Sequence, residues 1–312
     1  MKDLKVIFMG TPDFACPILK WLIDNTNVVL VVTKEDKEVG RNHEITFSPV
    51  KKLALENNID VFQPAKIRND FEIISEINPD IIITCAYGQI IPKELLDIPR
   101  LGCVNVHASI LPKYRGAAPI QWVLLNGEEK TGVTLMYMDE HMDTGDIIDI
   151  EEYIIKDSDN VGTLHDELSK LGVKVLENNL SKIVNGTNNR TKQDDSLSCL
   201  APMIKREDEL LDFNDNGKNI INKIRAFNPW PLAYFRINNE DIKVIGAHFE
   251  EKSNTKVGRI NYDKKSMGIE CLDGIIYLDE IKPFGKKSMK IDSFLNGFNK
   301  NIGSIDEGKT KE

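Results

Sequence analysis

The first half of the chain alternates two hydrophobic periods. Leu4 to Met9 is a continuous apolar, β-rich run that ends in the turn Gly10-Thr11-Pro12-Asp13, which predicts a buried strand. Phe14, Ile18, Leu19, Leu22 and Ile23 then recur at helical spacing as far as Asn25. Val28 to Thr33 predicts a second strand, and Ser48 to Asn57 a helix capped by Ser48 with Pro49 at its first position. Asp60 to Gln63, Asp80 to Ala86 and Leu101 to Val106 continue the strand series, with a helix over Asp70 to Ile77 between them and a further β-rich stretch at Thr131 to Met138. Strands that alternate with helices predict an α/β domain built on a Rossmann-like, mostly parallel sheet covered on both faces. A long helix over Val161 to Val184 is expected to pack back on that sheet.

The pattern then changes. Residues 189–204 are polar and read as a linker, which divides the chain into domains at 1–188 and 205–312. After a short helix at Lys218 to Phe227 come Ala233–Ile237, Lys243–His248, Lys256–Tyr262, Met267–Glu270 and Gly274–Lys282, short alternating runs separated by turn residues. That arrangement predicts a second, small, OB-like antiparallel β-barrel.

Composition narrows the class. With 312 residues, 41% hydrophobic and 29% charged, the chain is of globular type and long enough for two domains. No apolar run approaches the roughly 18 residues a membrane span needs, and the five-residue apolar run near the N-terminus is too short for a secretory signal. The five cysteines show no CxxC pairing, so neither a disulfide framework nor a metal site is expected, and a reducing cytoplasm is. The formal charge of −9 argues against a general nucleic-acid binder. It is uneven, however: from Leu200 onward 19 Lys and Arg balance 18 Asp and Glu, against 21 and 31 before it. An RNA partner could therefore be met by the last third.

Gly10-Thr11-Pro12-Asp13-Phe14-Ala15 is not a dinucleotide fingerprint, because Pro12 and Ala15 stand where glycines are needed; it reads as a tight turn out of the sheet. The chemistry lies further on. Asn105 and His107 sit two residues apart at the end of a strand, so both point to one side of the sheet. The loop that follows, Ala108 to Pro119, lies past the carboxyl end of a strand, where open α/β sheets bind ligands. Asp143 occupies a second loop, Asp139 to Asp146. Amide and imidazole donors aimed at one carbonyl would stabilise an oxyanion, while Asp143 would orient the imidazole or accept a proton from an amine. No residue reads as an activated nucleophile: Ser109 lacks the GxSxG elbow and no cysteine neighbours a histidine. Direct acyl transfer between two bound substrates follows.

Asn105-x-His107-x-Ser109-Ile110-Leu111-Pro112-Lys113-Tyr114-Arg115-Gly116 with Asp143-Thr144-Gly145-Asp146 resembles the folate-dependent formyltransferases. The likeness extends to the tRNA-specific branch through Gly10 to Phe14, Ser48 to Ala54, Ala201 to Ile204 and Arg225-Ala226-Phe227-Asn228-Pro229-Trp230-Pro231. The resemblance implies transfer of the formyl group of 10-formyltetrahydrofolate to the α-amine of methionyl-initiator-tRNA, for translation initiation. It implies Asn105, His107 and Asp143 as the catalytic trio, and Ser109, Ile110, Leu111 and Pro112 as the wall of the tetrahydrofolate site. Tyr87, Gly88, Gln89 and Ile90 would form the pterin pocket. Arg41 in the loop Lys34 to Thr46, with Lys205 and Arg206, would contact tRNA. The loop departs from the family pattern in its acidic residues and in Asn42-His43, and His141 stands where the family often has glycine. A monomer without metal is expected. Glycinamide ribonucleotide or sugar-amine formyltransfer, formyltetrahydrofolate hydrolysis and a non-catalytic folate- or RNA-binding module are the rival readings; the roughly 110 residues beyond the linker favour tRNA.

Overall fold

The structure, a computed structural model, describes residues 1–39, 44–296 and 305. The chain divides into two compact units. The first comprises Met1–Pro119, Lys130–Ile154 and His165–Met203, and the second Ile120–Glu129, Ile155–Leu164 and Ile204–Glu312. Two early segments, 120–129 and 155–164, thus fold with the C-terminal residues, which no change in composition announces.

In the first unit, strands β1 (Lys5–Gly10), β2 (Asn27–Val32), β5 (Val61–Phe62), β6 (Ile81–Cys85), β7 (Cys103–His107), β8 (Lys130–Tyr137) and β9 (Ile147–Ile154) form one sheet in the order β5-β2-β1-β6-β7-β8-β9. The pairings from β5 through β7 are parallel, and those of β7 with β8 and of β8 with β9 antiparallel. β3 (Lys37–Val39) and β4 (Glu44–Thr46) make a separate small hairpin. The expected mostly parallel α/β sheet is present, closed on one side by two antiparallel strands.

The elements form for local reasons. In β1 every residue after Lys5 is buried, as a strand covered on both faces requires. Helix α1 (Cys16–Asn25) follows a single 3-10 turn and buries Ile18, Leu19 and Leu22. Helix α2 (Pro49–Glu56) opens as its sequence predicts, with Lys51 N donating to the Ser48 hydroxyl at 3.1 Å. Short helices α3 (Glu72–Ile77) and α4 (Lys93–Leu96) flank β6, and α5 (Pro119–Leu125) follows the loop after β7. The long helix α6 (Val161–Asn185) packs on the first unit's sheet from His165 onward: Ser169 Oγ donates to Phe14 O at 2.7 Å, and Gly172 rests against Ile18 and Val106.

The second unit is a six-stranded antiparallel half-barrel. Strands β10 (Tyr234–Ile237), β11 (Glu240–Glu251), β12 (Ile260–Tyr262), β13 (Met267–Glu270) and β14 (Gly274–Pro283) run in the order β10-β11-β14-β13-β12, and β15 (Met289–Lys290) pairs with β14. Helices α7 (Gly217–Phe227) and α8 (Ile291–Leu295) cover its core, where Phe213 and Phe235 meet edge to face at 6.0 Å beside Phe227, Val244, Met267 and Ile276. No helix among the described residues is long and apolar enough to cross a membrane.

Candidate active site

Asn105 and His107 leave β7 on one face because a strand repeats every two residues. Thr84 is the β6 partner of Asn105, and its hydroxyl donates to Asn105 Oδ1 at 2.8 Å. With the amide oxygen engaged there, Asn105 Nδ2 turns toward Asp143, whose Oδ1 lies 3.5 Å away. His107 Nε2 donates to the Tyr114 carbonyl at 3.0 Å, since a carbonyl can only accept. Its Nδ1 consequently faces Asp143 Oδ2 at 3.7 Å. The same Oδ2 accepts the Gly116 N–H at 2.9 Å. Two side-chain nitrogens and one backbone N–H therefore converge on one carboxylate. His107 is 6% exposed and the Asp143 side chain 15%, so the cluster is shielded and still open on the carboxylate side.

The turn that carries Asp143 is specified by its neighbours. Asp143 itself has a φ of +57°, a left-handed conformation that asparagine and aspartate tolerate better than most residues. Asp139 Oδ1 closes the turn, accepting from His141 N at 3.0 Å and from the Thr144 hydroxyl at 2.7 Å. At Gly145 a Cβ would run into the Tyr137 carbonyl, so only glycine fits. Across the site Gly116, at φ +129°, lies where a Cβ would meet Ala201 O at 2.6 Å.

The loop Ser109–Tyr114 is tied from within. Ser109 Oγ donates to Lys113 O at 2.8 Å, the Thr134 hydroxyl donates to Ser109 O at 2.6 Å, and the same hydroxyl accepts Leu111 N at 3.1 Å. Ser109 and Leu111 are buried, whereas Ile110 and Pro112, the latter after a cis peptide bond, are half-buried.

The stretch Tyr87–Ile90 divides. The Tyr87 ring packs in the core with Ile7, Ile67, Ile91 and Leu95, and its hydroxyl has no hydrogen-bond partner among the described residues; burial pushes the phenol's pKa up. Gln89 joins loops, with Oε1 accepting Ile67 N at 2.8 Å and Nε2 donating to Pro64 O at 3.3 Å. Gly88 and Ile90 are open, and the Lys34 ammonium lies against Gly88. An opening of about 570 Å³ there is bordered by Lys34, Lys37, Lys66, Arg68 and Ile90.

A larger cavity of about 890 Å³ adjoins the Asp143 turn, with Leu96, Cys103 and Met138 as apolar wall and Asp139, Glu140 and His141 as rim. None of Asn105, His107 and Asp143 lines it. Burial pushes the Cys103 thiol up to about 12 and Cys16 up to about 11, so neither is an activated nucleophile.

Arg41 lies outside the described residues. Lys205 is exposed. Arg206 stacks over the Tyr234 ring at 3.9 Å and pairs with Glu209 and, at 2.7 Å, with Asp241. The residues that sequence reasoning did not single out are Thr84, Thr134 and Gln193. Gln193 stands in the polar stretch read as linker, whose chain is laid against the site: Arg115 N donates to Cys199 O at 2.9 Å and Ala201 N to Arg115 O at 2.7 Å.

A family model described as formyl transferase matches residues 4–180, and one described as formyl transferase, C-terminal domain, matches residues 203–299. The chain belongs to the formyl transferase family. It is thereby a one-carbon transferase by family. It is 43% identical over 307 residues to the methionyl-tRNA formyltransferase of Clostridium novyi, covering 97% of this chain and 99% of that one. It is likewise 43% identical to the Bacillus subtilis methionyl-tRNA formyltransferase over 308 residues, 96% and 97% of the two chains. Among solved family structures, the sugar 3N-formyl transferase WlaRD, crystallised with dTDP and 5-N-formyl-THF, is similar with a TM-score of 0.68 at 25% identity, covering 92% of this chain and all of that one.

Proposed function

We propose that this formyl transferase moves the formyl group of 10-formyltetrahydrofolate to the α-amine of methionyl-initiator-tRNA, in the cytoplasm and as a monomer, at the start of translation. The observation that carries the chemistry is the convergence of Asn105 Nδ2 and His107 Nδ1 on Asp143 at the mouth of the sheet. The near end-to-end match to chains named for methionyl-tRNA supports the acceptor.

In this reading the formyl carbon enters between the three side chains. Asn105 Nδ2 and a proton on His107 Nδ1 stabilise the oxygen that gains charge as the amine attacks; one such donor is typically worth about 10²–10³ in rate. Asp143 receives a proton from the incoming amine, which starts partly neutral near pH 8. The new C–N bond forms, the bond to N10 of the folate breaks, and the proton released by the amine ends on N10. The stretch Tyr87, Gly88, Gln89 and Ile90 would take the pterin, and Ser109, Ile110, Leu111 and Pro112 would wall the rest of the tetrahydrofolate. Arg41 and the exposed Lys205 would meet RNA phosphates, with Arg206, clasped by Glu209 and Asp241, holding the backbone that presents Lys205.

Labelled 10-formyltetrahydrofolate offered with methionyl-initiator-tRNA, methionyl-elongator-tRNA and glycinamide ribonucleotide tests this. Label on the initiator species alone is expected; label on the nucleotide, or only as free formate, overturns the acceptor assignment.

A further inference from the structure

Behind Asp143 stands a second row of side chains that the reaction itself does not use. Gln193 Nε2 donates to two carbonyls of the catalytic turn, Asp143 O at 2.9 Å and Gly145 O at 2.8 Å. Its Oε1 accepts from Arg115, from Nε at 3.0 Å and from a terminal guanidinium nitrogen at 2.8 Å. These partners settle which end of the amide is which, because a guanidinium only donates and backbone carbonyls only accept. Arg115 is 6% exposed and completes its contacts with Asp195 at 2.8 Å. It also immediately precedes Gly116, whose N–H holds the Asp143 carboxylate. Asp143 is thus gripped twice, at its carboxylate by the loop after β7 and at its carbonyl by Gln193, and Arg115 joins the two grips.

We propose that Gln193 is a positioning residue for formyl transfer: it holds the left-handed turn at Asp143 so that the carboxylate meets Asn105 and His107, while Arg115 locks the amide with its donors forward. The inference deepens the reading of the site given above and rests on Asp143 acting in it. Glutamine suits the position because it offers two N–H donors and an acceptor in one neutral group. Glutamate would present oxygens to two carbonyls, and leucine would fill the space with no donor.

Gln193→Leu, Gln193→Glu, Asp143→Asn and the Gln193→Leu/Asp143→Asn pair are compared with wild type in steady-state formylation of methionyl-initiator-tRNA, with Lys192→Ala as an exposed control from the same segment. Both Gln193 variants are expected to lose about 10- to 100-fold in kcat, as a misplacement near 1 Å does, with KM for either substrate changed less than about threefold. The thermal transition by circular dichroism should remain cooperative. In the Asp143→Asn background Gln193→Leu should add less than about twofold, because a residue acting through Asp143 has nothing left to position. A kcat within twofold of wild type, or a full multiplicative loss on top of Asp143→Asn, overturns the positioning role and leaves Asp143 standing. Full activity of Asp143→Asn itself would instead overturn the reading of the site, and the positioning role with it. If Gln193→Leu loses its cooperative transition, the near-isosteric Gln193→Glu is judged by the same criteria, alone and paired with Asp143→Asn.

Discussion

The Gly116 N–H donates to Asp143 Oδ2 at 2.9 Å, which makes His107 Nδ1, at 3.7 Å, the more distant of that oxygen's two partners. A backbone donor keeps its proton at every pH, so the carboxylate is placed by chain geometry and not by the charge of the imidazole. Asp143→Asn can still accept from Gly116 through its amide oxygen and should fold with a midpoint within a few degrees of wild type. Having lost its proton acceptor, it should fall by about 10²–10⁴-fold in kcat/KM. Gly116→Ala should lose activity and stability together, because its Cβ would strike Ala201 O. Formylation kinetics beside thermal melts separate the two outcomes.

Thr84 sits beneath Asn105 and aims its amide. Thr84→Val keeps the shape of the buried side chain but removes the donor to Oδ1, so the amide is free to turn over. We expect a loss in kcat smaller than the about 10²–10³-fold expected for Asn105→Ala, which deletes the oxyanion donor outright. Thr84→Ser should restore most of it. Equal losses in the valine and serine variants would show that the hydroxyl does not orient Asn105.

Glu270 in the second unit is a buried carboxylate that accepts from Lys256 N, from Asn261 Nδ2 at 2.9 Å and from Lys252 Nζ at 3.4 Å. The Lys256 backbone N–H, with the Asn261 amide next, holds its pKa down to about 2. A folded pKa below the unfolded one means the carboxylate stabilises the fold fully above about 4.5, and that this contribution fades as pH falls toward about 2. Glu270→Gln should therefore cost about 1–3 kcal/mol near neutrality, as for a buried charged hydrogen bond. The gap to wild type should close across that acid window in urea titrations. A gap that stays constant with pH would count against the carboxylate's role.

Much of this architecture is written in hydrophobic period. The uniform burial of β1, the Ser48 cap of α2 and the two-residue spacing of Asn105 and His107 all follow from local pattern, and so were legible. β9, Ile147–Ile154, is an edge strand whose burial is broken by Asp149, Glu151 and Glu152, so no clean alternation marks it. For Tyr87 the local pattern was silent: its part in the pterin pocket is implied only by the resemblance, and the packing of its ring in the core under β1 and β2 is set by tertiary contacts. Gln193 was invisible for another reason. Polar side chains that grip backbone carbonyls from an irregular segment leave no period and no compositional mark.

Thr134 is the remaining pin of the site, and its hydroxyl both donates to Ser109 O and accepts Leu111 N in a fully buried position on β8. Replacing it with the isosteric valine leaves a buried carbonyl and a buried N–H without partners, at a cost of about 1–3 kcal/mol for each. Serine keeps the hydroxyl and loses only a methyl group, so it should recover most of that stability. Because the freed atoms belong to the loop that would wall the folate site, Thr134→Val should also raise KM for 10-formyltetrahydrofolate several-fold while leaving KM for tRNA near wild type. Denaturant titrations of the valine and serine variants, with both Michaelis constants, test the chain from hydroxyl to loop to ligand. A destabilised valine variant with an unchanged folate KM would place Thr134 in the fold alone.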